Sequence, residues 1–288
     1  MLDKIVPLLL LATLASPASA LADKEPAAQA PNAVSDAAME QPQAEADVAQ
    51  AQFPGVEDAV ISSTECPDVT MHYPVIGNAQ ADAILADFAR NAVKAFEKIL
   101  QEDGGERPEG YASYELMGTY EINRPSENAV SVLFSIYNYT GGAHGMRELN
   151  CINFELPSGR RLALEDIFGK PQRALEILSD YSRARLPAEL GPDFVDEDML
   201  SSGTAPDAAN FANLTLLPDA VRVEFGPYQV ASWAAGLPQL PVPLADLAEA
   251  EPSRAIWPDA PQTGAAPAAP ESGPENVAGK NATGAPGN

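Results

Sequence analysis

The sequence predicts an α+β fold in which antiparallel sheets pack against two main helices. Apolar residues recur with strand periodicity in several segments and with helical periodicity in two others. The predicted strands precede and surround the helices without a regular strand–helix alternation, which would instead indicate a parallel sheet.

The first predicted elements are two short strands and a long helix. Residues 59–61 and 69–76 have strand character, and Asn78 is placed to cap the helix that follows. Asp82 lies in the first helical turn, and the Asp-Gly-Gly sequence at 103–105 ends the helix. Its predicted core stripe is Ile84, Phe88, Ala92, Phe96 and Ile99.

Three strands of an antiparallel meander are predicted next, at 111–122, 129–139 and 147–156, with a turn at 123–128. The residues predicted to face the core are Val130, Val132, Phe134 and Ile136 on the second strand, and Ile152, Phe154 and Leu156 on the third.

A second helix and a hairpin complete the predicted core. Pro171 suits the first helical position, and Pro187 is expected to stop this helix. The hairpin pairs 211–217 with 221–225 through a Pro218–Asp219 turn.

The two ends of the chain differ from the middle. Residues 1–20 combine one lysine, a short apolar run and an Ala-Ser-Ala ending, as a cleaved secretory signal does. Residues 21–55 and 258–288 are rich in Ala and Pro and predict a disordered linker and tail. The folded core is therefore expected at 56–257, with subdomains near 56–145 and 146–257. The product is expected to be periplasmic or secreted, with no membrane insertion after signal cleavage.

The formal net charge of −24 restricts the classes of partner. Nucleic acid and anionic lipid are poor partners because binding to them depends on lysine and arginine. A basic protein or a cell-wall glycan fits better. The alternative is that the acidity only keeps an exported protein soluble and monomeric.

Cys66 and Cys151 are the two cysteines of the chain. In an oxidising compartment such a pair predicts a disulfide, which would stabilise the fold by roughly 4 kcal/mol in the chain-entropy model. The alternative is two buried thiols.

The first candidate site is the glycine-rich segment 137–145 between two predicted strands. A functional interpretation makes His144 a general base or a contact residue in a groove lined by aromatic side chains. The alternative is that the imidazole stabilises the turn by hydrogen bonds. The candidate ligand-binding residues here are Tyr137, Tyr139, Gly141, Gly142 and His144.

The second candidate site is the segment 225–236, where Tyr228 and Trp233 follow a strand and a Gly-Pro turn. These aromatic side chains could stack on sugars or anchor a protein partner. The alternative is that they cover one end of the core.

Evidence for catalysis and for metal binding is weak. A nucleophilic triad would need His144 with an acidic partner such as Asp166 and a Ser or Cys nucleophile, but no Gly-x-Ser-x-Gly sequence occurs. His72 and His144 are the only histidines, and zinc-binding spacings are absent. No metal and no cofactor is therefore expected.

Several of these segments together resemble a known pair of domains. They are Tyr139 to Gly145, Phe154-Glu155-Leu156 with Gly159, Leu164 to Phe168, and Phe225 to Gly236. In order and spacing they resemble the paired domains of unknown function 4163 and 3298. Those domains form the extracellular part of the lysozyme-sensing anti-sigma-V factor (RsiV-like) and accompany a catalytic domain in some peptidoglycan deacetylases.

The resemblance covers about residues 59–247. It implies an α+β envelope domain that binds a wall ligand or a wall-attacking protein such as lysozyme, and that has no established catalysis of its own. The leading hypothesis is therefore an exported binding protein, whose ligand is peptidoglycan or lysozyme. An envelope hydrolase using His144 and a structural adaptor of the periplasm are the alternatives.

Overall fold

The computed structural model of the chain describes residues 53, 55–63, 67–102, 114–142 and 144–261. The predicted signal peptide, nearly all of the predicted linker and most of the predicted tail lie outside the described residues. Among the described residues, no helix has the length and apolar character of a membrane span.

The first lobe is built on a six-stranded sheet in the order β1-β2-β3-β4-β5-β6. The strands β3 to β5 form the predicted antiparallel meander, β6 adds a short strand that was not predicted, and β1 also pairs antiparallel with β2. The strands are β1 (Glu57–Ser63), β2 (Asp68–Val75), β3 (Glu115–Ser126), β4 (Ala129–Tyr139), β5 (Met146–Glu155) and β6 (Arg160–Arg161).

One pair in this sheet, β2 with β3, is parallel. In the sequence, the helix α1 (Ala79–Glu102) connects β2 to β3. This connection returns the chain to the end of the sheet where β2 begins, so the two strands run in the same direction. Asn78 caps α1 as predicted, because its Oδ1 accepts hydrogen bonds from the backbone N–H groups of Gln80 and Ala81.

The buried stripe of α1 differs from the predicted one by about one position. Phe96 is buried as predicted, but Ile99 is 42% exposed, and Ile84, Phe88 and Ala92 are only partly buried. The prediction missed the buried face by one position because apolar residues also flank that face on α1. The buried residues are Ala81, Leu85, Ala89, Val93, Phe96 and Leu100.

The second lobe combines helices with a three-stranded sheet in the order β7-β8-β9. Its helices are α2 (Leu164–Ile167), α3 (Pro171–Leu190) and α4 (Glu197–Gly203), and its strands are β7 (Leu214–Leu216), β8 (Ala220–Glu224) and β9 (Gln239–Pro243). Pro171 begins α3 as predicted, but the prediction that Pro187 stops this helix is wrong. The helix continues to Leu190, and the strand β9 was not predicted.

Each lobe has its own hydrophobic core, and the α+β fold with two main helices, α1 and α3, is confirmed. The subdomain boundary expected near residue 145 falls inside the first sheet, because β5 pairs with β4. The first lobe instead ends with β6, and the second lobe begins with α2. The second core also includes Ala260, which is 4% exposed, so the folded part extends beyond the predicted limit at Trp257.

The two faces of the first sheet have different neighbours. Val130, Val132, Phe134 and Ile136 belong to the core beneath α1, as predicted. On the opposite face, Ser131 accepts a hydrogen bond from Leu216 N at 2.8 Å, and Asn153 donates to Leu214 O at 2.9 Å. The strand β7 therefore covers this face at its Ser131–Asn153 end.

Candidate functional site

The other end of this face forms an open sheet face, defined here by Glu115, Tyr137, Tyr139 and Arg147. Tyr139 pairs with Glu115 across β3 and β4, and Tyr137 pairs with Arg147 across β4 and β5. Alternation along β4 puts Tyr137 and Tyr139 on the same side as Ser131, away from α1. All four side chains are partly exposed, whereas Ser131 and Asn153 are buried.

The loop between β4 and β5 borders the open sheet face. Gly141 and Gly142 have φ values of 102° and 97°, which favour glycine, and the Tyr139 hydroxyl donates to Gly142 O at 3.0 Å. A methyl group at Gly145 would lie 2.4 Å from Cζ of Tyr137, so glycine lets the tyrosine ring pack against the loop. The loop is thus shaped by the tyrosines of the sheet.

His144 carries this loop into contact with the second lobe. Its ring stacks on the Trp233 indole with 4.7 Å between centroids and 24° between planes. The Nδ1 atom lies 3.0 Å from Gly145 O, so we assign the proton to Nδ1, which leaves the Nε2 lone pair available. The two candidate segments, which are far apart in sequence, therefore form one aromatic pair.

The segment 226–236 presents Trp233 and Tyr228 to solvent. Trp233 is 45% exposed and Tyr228 is 49% exposed. Tyr228 has a φ of 61°, which is strained for a residue with a side chain. Both aromatic side chains are therefore about half exposed, and neither belongs to the buried core of the second lobe.

Gln229 fixes this segment to the second lobe. Its Nε2 donates to Gly203 O at 3.0 Å and to Asn210 O at 2.9 Å, and its Oε1 accepts from Gly226 N at 3.1 Å. A methyl group at Gly203 would lie 1.8 Å from the Gln229 carbonyl oxygen. Close contact with α4 thus holds the backbone that carries Trp233.

The charges of the open sheet face act on Tyr137. Burial, and secondly the Glu115 carboxylate, raise the pKa of the Tyr137 hydroxyl. Burial, and secondly Asp68, raise the pKa of Glu115. The Arg147 guanidinium carbon lies 6.0 Å from the centre of the Tyr137 ring. Tyr137 therefore lies between a carboxylate and a guanidinium.

The residues proposed for a hydrolytic triad are not brought together. Asp166 accepts a hydrogen bond from Arg160 at 2.8 Å and another from Ala163 N, and both lower the pKa of its carboxyl. Cys151 is buried, and burial raises the pKa of its thiol to about 12. The His144 ring forms its hydrogen bond with the backbone carbonyl of Gly145 and not with a carboxylate.

The disulfide between Cys66 and Cys151 stays a prediction, since Cys151 alone of the two is described, and there it is an unbridged thiol. Its Sγ donates to Leu214 O at 3.1 Å, because β7 packs directly on this part of β5. Cys66 lies outside the described residues.

Neither the potential metal ligands nor the cleft beside β5 adds a further candidate site among the described residues. No group of three or more potential metal ligands occurs among them, and His72 Nδ1 pairs with Asp58 Oδ2 at 2.8 Å. A cleft of about 370 Å³ lies between β5 and the 208–214 segment. Its buried polar groups, on Cys151 and Asn153, already bond to Leu214 O.

Sequence reasoning missed Glu115, Arg147 and Gln229. The first two could have been found from strand alternation, which puts polar residues on the same face as Tyr137 and Tyr139. Gln229 carries no such signal, because its partners lie on elements distant in sequence.

Comparison with known proteins matches two consecutive parts of the chain to two different family models. Residues 61–147 match the model described as Deacetylase PdaC, and residues 165–245 match a protein of unknown function, DUF3298. The curated peptidoglycan-N-acetylmuramic acid deacetylase PdaC of Bacillus subtilis (strain 168) is 28% identical over 184 residues, which are 63% of this chain. The chain spans 38% of the length of that relative.

Two solved structures are also similar. A DUF3298 family protein from Pseudomonas aeruginosa PAO1 has 17% identity and a TM-score of 0.48, over 70% of this chain and 95% of its own. A DUF3298 member from Bacteroides fragilis NCTC 9343 has 19% identity and a TM-score of 0.45, over 69% and 93%. By the two family models, the chain carries a segment that matches Deacetylase PdaC, followed by one that matches DUF3298.

Proposed function

We propose that this chain is an exported cell-envelope protein that binds cell-wall glycan at the His144–Trp233 pair, next to the open sheet face. The observation that carries the proposal is the exposed indole of Trp233, held in place by a stacked imidazole from the other lobe. The match to a peptidoglycan deacetylase supports a wall ligand, and the sequence of residues 1–20 supports export.

The chemistry of the pair suits a sugar. A pyranose ring has an apolar C–H face that stacks on an indole, and its hydroxyls need hydrogen-bond partners at the edge. Nε2 of His144 and the hydroxyls of Tyr137 and Tyr139 supply such partners. The indole is already ordered by its contact with His144, so binding loses less side-chain entropy.

The test is sedimentation of the purified chain with insoluble peptidoglycan. Trp233→Ala should weaken binding by at least about tenfold, the effect of losing a central aromatic contact. His144→Ala should weaken it less, because the indole remains but loses its support. Phe194→Ala is the matched control, since Phe194 is 37% exposed in the turn between α3 and α4.

Equal sedimentation of Trp233→Ala and the unchanged chain would contradict the proposal. Circular dichroism of each variant separates lost binding from lost folding. Release of soluble sugar or peptide by the unchanged chain, abolished in His144→Ala, would favour the hydrolase alternative instead.

A basic, wall-attacking protein such as lysozyme is a second candidate ligand. The observation that favours it is the net charge of −24, which would accelerate the approach of a cationic partner. Binding to lysozyme that falls steeply with salt, together with no binding to peptidoglycan, would select this candidate. Sedimentation with the wall that is insensitive to salt would select the glycan.

A further inference from the structure

We propose that the wall ligand is a glycan fragment that carries a peptide, with a cationic group bound at Glu115 and an anionic group bound at Arg147. This inference rests on the proposed function and names the class of ligand that the same site prefers. Its basis is the pair of opposite charges on either side of Tyr137 in the open sheet face.

The carboxylate of Glu115 forms no ion pair within the described part of the chain. Among the described residues, no lysine, arginine or histidine lies within 4.0 Å of it, and the neighbour opposite it on β2 is Asp68. Two carboxylates side by side on adjacent strands repel each other. An ammonium group placed between Glu115 and the Tyr137 ring would relieve this repulsion and gain a contact with the aromatic face.

The guanidinium of Arg147 has no carboxylate partner in the part of the chain that the structure describes. Its Nη1 donates to the Ser135 hydroxyl at 2.9 Å, and no aspartate or glutamate among the described residues lies within 4.0 Å of its nitrogens. Nε and Nη2 remain as donors, and they form the planar edge that binds a carboxylate with two hydrogen bonds. The bond to Ser135 holds the guanidinium in position for such a ligand.

The two opposite charges favour a charged peptide over a neutral sugar, and the distance between them sets the length of that peptide. Glu115 lies on β3 and Arg147 on β5, with β4 between them, and their registers differ by two residues along β4, so their backbones are about 12 Å apart. About four residues of extended peptide span this distance. A glycan bound on Trp233 would therefore place its attached peptide across Tyr137, with its amine and carboxylate at opposite sides.

Ligand variants test the inference directly. The full chain is titrated with a disaccharide–tetrapeptide wall fragment and with neutral chitotetraose, using isothermal calorimetry. The peptide-bearing fragment should bind at least tenfold more tightly. Glu115→Gln and Arg147→Met should each remove about tenfold of this preference and leave the affinity for chitotetraose unchanged.

Two exposed residues provide matched controls. Glu148→Gln removes a carboxylate from the opposite side of β5, and Arg124→Met removes a guanidinium from the far end of β3. Neither should change either affinity. Acetylating the peptide amine should cost the unchanged chain about tenfold and cost Glu115→Gln nothing further, because both changes remove the same contact.

Each outcome decides between the two proposals. Equal affinity for the two ligands, with no effect of Glu115→Gln or Arg147→Met, overturns the inference while glycan binding stands. Failure of both ligands to bind overturns the proposed function and the inference with it. Loss of chitotetraose binding in a folded Glu115→Gln protein would also overturn the inference, because Glu115 would then contact the glycan and not the peptide.

Discussion

Arg222 on β8 donates from Nη2 to the Glu121 carboxylate on β3 at 2.8 Å, and this ion pair ties the second lobe to the first sheet. The Arg222 Nε also lies 2.5 Å from Oε1 of Glu224, whose side chain has no exposure. Thr215 donates to the same oxygen at 2.7 Å. One guanidinium therefore compensates two carboxylates where the lobes meet.

Arg222→Met should be strongly destabilising. The substitution keeps much of the side-chain volume but leaves Glu224 buried without its cation, which costs roughly 3–5 kcal/mol. Chemical unfolding monitored by circular dichroism measures the loss. Adding Glu224→Gln should recover part of it, because the stranded charge is then removed.

The control for this prediction is an exposed ion pair. Arg173 binds Glu249 at 2.7 Å, with side chains 41% and 60% exposed. Arg173→Met should change the free energy of unfolding by about 1 kcal/mol or less. Similar losses for both arginine variants would show that burial of Glu224 carries no special cost.

Gly203→Ala should displace the segment that carries Trp233. The new methyl group would lie 1.8 Å from the Gln229 carbonyl oxygen, which is backbone and cannot rotate away. We expect a loss of roughly 1–3 kcal/mol in stability, together with weaker glycan binding. Ser202→Ala, on an exposed neighbouring residue of α4, should affect neither measurement. Unchanged binding in a folded Gly203→Ala protein would contradict the role of this contact.

Local patterns were sufficient to predict most of the fold. β4 has the predicted bounds, and the alternation of Val130, Val132 and Phe134 correctly identified its core face. The continuation of α3 through Pro187 was not predictable from the proline alone, since the packing of neighbouring Leu186 at 0% exposure overrides the local preference. The strand β9 was missed for a different reason: it is short and contains proline, so its sequence lacks a strong strand pattern.

The site was predictable in its parts but not in its assembly. His144 and Trp233 were each identified as candidates, yet 88 residues lie between them in the sequence. Their contact depends on how the two lobes pack. The alternative that His144 stabilises its turn is consistent with its bond to Gly145 O, so one imidazole makes both contacts.

Cys151 should be unreactive in the folded protein. Its thiol is buried beneath β7, and burial raises its pKa to about 12, so little thiolate forms near neutral pH. In a Cys66→Ser variant, Cys151 is the only cysteine left. Ellman's reagent at pH 8 should therefore detect about one thiol only after denaturant is added. Rapid modification of the folded variant would contradict the burial of this thiol.

Glu115 should make the stability of the fold depend on pH. Its pKa is raised above the ordinary value of 4.5, first by burial and then by Asp68, so the folded state favours the protonated carboxyl. The stabilising contribution is fully present below the unfolded pKa and is lost as the pH rises through the folded pKa. Above that window the charged carboxylate destabilises the protein.

Glu115→Gln removes this titration and keeps the shape of the side chain. At pH 7 the variant should be more stable than the unchanged chain by roughly 0.5 kcal/mol, a small value because solvent screens a partly exposed group. The gain should vanish toward pH 4, and Glu148→Gln should show no such gain. A parallel pair of stability curves from pH 4 to pH 7 would contradict the prediction. A variant that is more stable yet binds the peptide-bearing fragment more weakly would show that the unpaired carboxylate serves ligand binding at a cost in stability.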